Sequence, residues 1–208
     1  MALELIRGRD GLHRCGWCGD DALYQAYHDD EWGMPVTDDR RLFEKLCLEA
    51  FQSGLSWRTI LVKRENFRHA FHGFDWRAMA AMDEADVQRL LQDAGIVRHR
   101  GKIEAVLHNA RLMPELIASE GSLARFVWSF EPAPESRPHE VDADWLRANT
   151  TSTASTAMAK ALKRRGWRFV GPTTVHAFMQ SMGLFNDHLA GCHAEARVTS
   201  ARAMLPRP

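Results

Sequence analysis

Residues 83–113 read DEADVQRLLQDAGIVRHRGKIEAVLHNARLM, and the fold turns on this stretch. From Asp83 a helix begins with acids in its first turn, and Val87, Leu90 and Leu91 share one inward face. Gly95 suits a left-handed residue that closes that helix. A second helix begins near Arg100 and buries Ile103, Val106, Ala110 and Met113. Between the two, Ala94 to Lys102 is a tight turn with two glycines, Gly95 and Gly101, and two apolar anchors, Ile96 and Val97. The amides that start the second helix face outward, where a helix N-terminus receives an anion, and Arg98, Arg100 and Lys102 add charge. This is a helix–hairpin–helix able to hold a DNA phosphate without reading sequence, or an ordinary helical hairpin with a basic turn.

The same periodicity recurs on both sides and predicts an all-α chain, since no segment alternates β-branched and polar residues. Thr37-Asp38-Asp39 starts a helix whose face is Leu42, Phe43, Leu46, Cys47, Ala50 and Phe51, ended by Gly54. Ser56 caps a further helix through Ile60, Leu61, Phe67 and Phe71 to Gly73. Pro132, Pro134 and Pro138 mark a long connection, followed by a helix from Ala157 to Arg165. Pro172 opens another helix that runs to Gly183, and a short last one holds Asn186 to Cys192. The spacing predicts a single domain over residues 14–193, built as two packed helical lobes. Residues 1–13 are expected as a flexible N-terminal extension and 194–208 as a flexible tail.

The 208 residues carry 27 Lys and Arg against 27 Asp and Glu, a net charge of zero. That argues against a strongly cationic coat for nucleic acid, but a local basic face needs charge only within about a Debye length, ~8–10 Å. Such clusters stand at Arg98–Lys102 and at Lys160, Lys163, Arg164, Arg165 and Arg168. No apolar run approaches the ~20 residues of a membrane span, and Met1–Arg14 lacks a signal-peptide core. A cytoplasmic protein with no membrane partner is expected.

Four cysteines, Cys15, Cys18, Cys47 and Cys192, are too few for a disulfide framework in a chain of this length. Cys47 falls in an apolar helical stretch and reads as core. His188 and Cys192, four apart, share one face of a helix. With two ligands from the N-terminal region they complete a closed tetrahedral zinc shell, structural because no position is open. Cys15 with His28 supplies that half, or Cys15 with Cys18 as a C-x2-C pair, and His193 adjoins Cys192; spacing does not choose. Trp17, Tyr24, Tyr27, Trp32 and Trp57 crowd the first 57 residues without forming one helical stripe. They are an aromatic core or a box for a flipped base. Glu49 sits beside the buried ridge of its helix, where a carboxylate needs a partner. In a pocket it would accept hydrogen bonds from a purine edge and favour a positively charged base.

Several blocks in one order resemble the 3-methyladenine DNA glycosylase I family. They are Cys15-Gly16-Trp17, Tyr27-His28-Asp29-Asp30-Glu31-Trp32-Gly33, Cys47 to Trp57 and Asp93 to Ile103. Val127-Trp128-Ser129-Phe130, Lys163-Arg164-Arg165-Gly166 and Gly183 to His188 continue the match. The resemblance spans about residues 13–193. It implies a helix–hairpin–helix glycosylase fold in which one structural zinc on Cys15, His28, His188 and Cys192 joins the N- and C-terminal segments. It places the base-contacting carboxylate at Glu49 and base contacts at Trp17, Tyr24, Tyr27 and Trp57. It also implies a monofunctional hydrolase with neither a lysine nucleophile nor a catalytic aspartate after the hairpin. Cys18, Trp167 and the N-terminal extension depart from the family's pattern.

The expected activity is excision of 3-methyladenine from double-stranded DNA by a monomer. The hairpin residues Gly95, Arg98, Arg100, Gly101 and Lys102 would grip the backbone, and Leu55 would fill the gap in the base stack. The alternatives are a zinc-stapled DNA-binding module without chemistry and a glycosylase for another alkylated base.

Overall fold

The computed structural model describes residues 3–208. It opens with an antiparallel hairpin, β1 (Leu5–Arg7) and β2 (His13–Cys15), in which Leu5 pairs with Cys15. Twelve α-helices follow among the described residues. The first half of the chain holds α1 (Ala22–Asp30), α2 (Asp39–Gln52), α3 (Trp57–Leu61), α4 (Arg64–Ala70), α5 (Trp76–Ala80) and α6 (Glu84–Gln92). Then come α7 (Arg100–Glu120), α8 (Leu123–Trp128), α9 (Ala143–Ala148), α10 (Thr153–Arg164), α11 (Pro172–Ser181) and α12 (Glu195–Met204). The predicted helical character holds, with the terminal hairpin as the exception.

The core is organised around α2, which packs on α3, α7, α8 and α11. Leu42, Phe43 and Phe51 are fully buried there, and a fully buried side chain of this size contributes roughly 1.5–3 kcal/mol. The Asp38 carboxylate caps α2 by accepting from the Arg41 amide, a bond worth ~1 kcal/mol. The main apolar cluster is continuous from Val36 to Phe185. Trp167 belongs to it, edge-on to Phe43 with ring centroids 6.2 Å apart.

Both termini differ from the expectation of flexible ends; residues 1 and 2 lie outside the described residues. The hairpin is held by Arg14, which is 4% exposed and donates to Asp10 and Asp29, each at 2.7 Å. Residues 195–204, expected within a loose tail, form α12. It buries Val198 completely, and Arg202 donates to the Gly183 and Leu184 carbonyls at 2.7 Å each. One buried residue gives no readable stripe, so the docking rests on side-chain-to-backbone bonds between distant segments. Asn186–Cys192 is not helical either. The Asn186 side chain accepts from the His188 amide, and Gly191 takes φ 84°.

The helix expected from Ser56 to Gly73 is broken into α3 and α4, although Ser56 caps it as foreseen by accepting from the Thr59 amide. Between α6 and α7, Gly95 is not left-handed. Its amide donates to Asp93 Oδ1 at 2.7 Å, and an added Cβ would meet Asn66 Nδ2 at 3.0 Å, so the glycine serves close approach. Gly183, at φ 75°, allows the end of α11 to touch the Gly33 carbonyl, which a Cβ would meet at 2.5 Å.

Lys102 corrects the expectation of a phosphate contact. It is 6% exposed, and its ammonium donates to the carbonyls of Phe51 at 2.9 Å and Ser53 at 2.5 Å. A cation at these orphan carbonyls closes the C-terminus of α2. Lys102→Met should therefore lower the unfolding free energy by about 1–3 kcal/mol in urea titrations, the cost of buried acceptors left unpaired. The salt dependence of DNA binding by the same variant should not change.

Candidate active site

The two ends of the chain meet at four buried side chains. The ligand atoms of Cys15, His28, His188 and Cys192 all lie within 4.8 Å of one another. Cys192 Sγ is 3.5 Å from both His28 Nε2 and His188 Nδ1, and Cys15 Sγ is 3.7 Å from His188 Nδ1. Zinc bonds of ~2.3 Å to sulfur and ~2.0 Å to nitrogen, at tetrahedral angles, give sulfur-to-nitrogen edges of about 3.5 Å. The donor set fits a closed four-ligand metal shell. Each imidazole is oriented by its other nitrogen, His28 Nδ1 lying 2.7 Å from Asp29 Oδ1 and His188 Nε2 3.0 Å from the Trp32 carbonyl, as metal-binding histidines are. The bond to Cys192 pushes the Cys15 thiol up, and the bond from Cys15 pulls the Cys192 thiol down. Cys18 turns away, its thiol donating to the Cys15 carbonyl at 3.2 Å. His193 faces Asp29 at 2.9 Å.

This meeting sets one wall of a cavity of about 360 Å³ against another. Trp17, Tyr24, Tyr27, Trp32 and Trp57 line one side, with Glu49 and Gln52 from α2; His176 and Gln180 of α11 and Asn149 after α9 line the other. The aromatic rings tilt against each other, with centroids 5.0 Å apart for Trp17 and Tyr24, 5.1 Å for Trp17 and Trp32, and 5.3 Å for Tyr27 and Trp57. Flat apolar walls with a few polar groups are what a planar ligand needs.

Glu49, 4% exposed, has the partner that its position requires. Lys45, one turn earlier on α2, places its ammonium 2.9 Å from Glu49 Oε1, donates to Tyr27 Oη at 2.8 Å and lies 3.1 Å from the centre of the Trp57 ring. Burial pulls this ammonium down to about 8, against the attraction of Glu49. Burial, then the Glu49 charge, pushes the Tyr27 phenol far up, and burial pushes Tyr24 up to about 12.

The remaining sequence-derived residues divide. Leu55 is 39% exposed at the tip of the turn after α2, where Gly54 takes φ 79°. Arg98 is exposed before α7 and Gly101 lies in that helix's first turn. Arg100 is engaged within the fold, pairing at 2.9 Å with both Glu84 and Glu104, so it corrects the expectation of a free phosphate ligand. Sequence reading placed Trp32 in the aromatic cluster but not among the base contacts, and missed Lys45, Gln52, His176 and Gln180. Lys45 was within reach, because four residues before Glu49 on a helix is the ion-pair spacing. His176, 3% exposed with both ring nitrogens unbonded, has no local signal.

The methyladenine glycosylase family model matches residues 17–195. The chain is 53% identical over 182 residues to DNA-3-methyladenine glycosylase 1 of Escherichia coli, covering 87% of this chain and 96% of that protein. A crystal structure of 3-methyladenine DNA glycosylase I superposes with a TM-score of 0.81 at 51% identity, over 88% of this chain and 99% of the other. The 3-methyladenine DNA glycosylase I of Staphylococcus aureus, solved to explain 3-methyladenine recognition, gives 0.81 at 35% identity over 88% and 96%.

Asp29 ties the terminal segments together. Burial raises its carboxyl, but hydrogen bonds from Arg14, His28 and His193 outweigh burial and hold it well below 3.8. A depressed carboxylate contributes stability above its unfolded value and loses it as pH falls toward the folded one. Asp29→Asn should cost about 1–3 kcal/mol at pH 7, and the gap in urea midpoints between the two proteins should begin to narrow below about pH 4 and shrink further as the pH falls.

Proposed function

The chain belongs to the methyladenine glycosylase family, and from that premise we propose that it excises 3-methyladenine from alkylated DNA by hydrolysing the N-glycosidic bond. The observation that carries the reading is the buried carboxylate of Glu49 in an aromatic-walled cavity of about 360 Å³. A base rotated out of the duplex stacks between the rings, and its donor edge meets Glu49. Alkylation leaves the base cationic, so the glycosidic bond is already weakened and little general-acid help is required. Glu49 selects and orients the charged base, and water attacks the anomeric carbon to leave an abasic site without strand cleavage.

DNA is held in double-stranded form by a monomer. The segment from α6 through the turn to α7 is read as a helix–hairpin–helix, with Arg98 and the first turn of α7 at the backbone phosphate. Leu55, projecting at the Gly54 turn, fills the space that the flipped base leaves. The cluster of Cys15, His28, His188 and Cys192 holds one structural zinc. Its four ligands leave no open position, so it fixes the pocket wall and takes no part in the reaction.

Glu49→Gln should keep the fold and lose excision on the order of 10²-fold, the scale at which removal of one charge-stabilising group in a dry site acts. The measurement is release of 3-methyladenine, 3-methylguanine and 7-methylguanine from methylated duplex DNA, with alkali-labile sites counted in parallel. Tight binding without release would favour a binding module, and preferential release of another base would reassign the substrate. Metal analysis should find about one zinc per chain, and Cys192→Ser should lose it. Retention in that variant, with loss in Cys18→Ser, would overturn the ligand set.

A further inference from the structure

Glu49 is not a free carboxylate waiting for a cation. It is already paired with Lys45, and both are almost completely buried. Resting on the excision reading, we propose that Lys45 is a resident counter-ion that the alkylated base displaces from Glu49, so that Lys45 sets the pocket's selectivity for charged bases.

The surroundings leave Glu49 as the group that answers the Lys45 charge. On α2 the neighbouring Glu44 is bound to Arg68 of α4 at 2.7 Å. Glu31, after α1, is bound to Arg64 of α4 at 2.6 Å. From α1, Tyr27 offers a neutral hydroxyl, and from α3, Trp57 offers the face of its ring. Lys45 does not line the main cavity, whereas Glu49, Tyr27 and Trp57 do. The ammonium therefore stands behind the pocket wall and acts on the base through the groups that touch it.

Two consequences follow for the bound base. A neutral adenine brings no charge to replace the ammonium, so the Lys45–Glu49 pair stays closed and the carboxylate is not offered. A cationic base competes for the same carboxylate, and it meets repulsion from an ammonium seated 2.9 Å from Glu49 Oε1 and 3.1 Å from the centre of the Trp57 ring. It binds best when Lys45 has released its proton to water, leaving the neutral amine. Because burial has drawn the ammonium down to about 8, the competent neutral form is a minority at pH 7, and apparent affinity falls with its fraction.

The test is single-turnover release of 3-methyladenine from methylated duplex DNA between pH 7 and pH 9. Half-saturation is read apart from the rate at saturation, and binding of unmethylated duplex is subtracted. The wild-type chain should tighten about tenfold over this range. Lys45→Met should already be tight at pH 7 and flat thereafter. Parallel pH profiles in the two proteins, or looser binding by the variant at every pH, would show a structural lysine and overturn the proposal. Should the variant fail to fold, tryptophan emission of the wild-type protein alone decides: a transition near pH 8 supports the proposal, and a featureless emission from pH 7 to 9 overturns it. A wild-type chain that releases no base would instead sink the excision reading, a result distinct from excision with an unshifted profile.

Discussion

Everything in the candidate site depends on the contact between the ends of the chain. Cys15 and His188 are separated by 173 positions, yet their ligand atoms are 3.7 Å apart. The zinc proposed there would add its binding free energy to the stability of the joined ends. The contact has a geometric effect as well. Trp17, Tyr24, Tyr27 and Trp32 belong to the short N-terminal segment, whereas His176 and Gln180 belong to α11, and the cavity exists because these two are brought face to face. The main core runs from Val36 to Phe185, and smaller clusters around Cys15 and Cys18 lie outside it. Most of the aromatic wall is thus carried by a segment outside the main core, while Trp57 packs against the core as well. Arg14 and Asp29, beside the cluster, reinforce the same junction.

The pocket solves a problem of charge. A carboxylate that selects a cation must be dry enough for the charge to be felt, yet a dry unpaired carboxylate is costly and becomes protonated. Lys45 supplies that partner at 2.9 Å, at the expense of opposing the cationic ligand proposed for Glu49. The compromise is workable because the ammonium is itself poorly solvated. Its affinity for a proton is low enough that a small change in its surroundings neutralises it, so the counter-ion is easily removed when a second cation arrives.

How much of this was legible depended on whether the relevant contact was local. The helical periodicity of α2, α6 and α7 reads directly from Leu42 to Phe51 and from Asp83 to Met113, because each face is decided within a few turns. The cap at Ser56 read for the same reason, whereas α2 is capped by Asp38 rather than by Thr37. Glu49 was readable as a buried acid from its place beside the ridge. What did not read was set by distant partners. The tail folds as α12 because Arg202 finds the carbonyls of Gly183 and Leu184, and the hairpin forms because Arg14 finds Asp29. Lys102 carried the wrong expectation, since a basic residue in a basic turn looks solvent-facing until the open end of α2 is placed beneath it. His188 and Cys192 converge by a route other than the helix that their spacing suggested. The ligand pairing of Cys15 with His28 could not be chosen over Cys15 with Cys18 from spacing alone.

The pairing of charges across the surface completes the argument about where discrimination arises. Arg58, Arg64, Arg68, Arg100 and Arg165 are each bound to acids of this chain, and Lys102 is spent on backbone carbonyls. Lys160, Lys163, Arg164 and Arg168 are exposed and have no acid partner among the described residues, so these cations are left to attract phosphate within a net charge of zero. The non-specific part of DNA affinity scales with the phosphates that such cations neutralise. Electrostatic interactions are several-fold stronger in a buried pocket than at a wet surface, so one carboxylate there separates a cationic base from a neutral one better than many surface cations would. The proposed enzyme spends its electrostatic contrast on the base after it has left the stack.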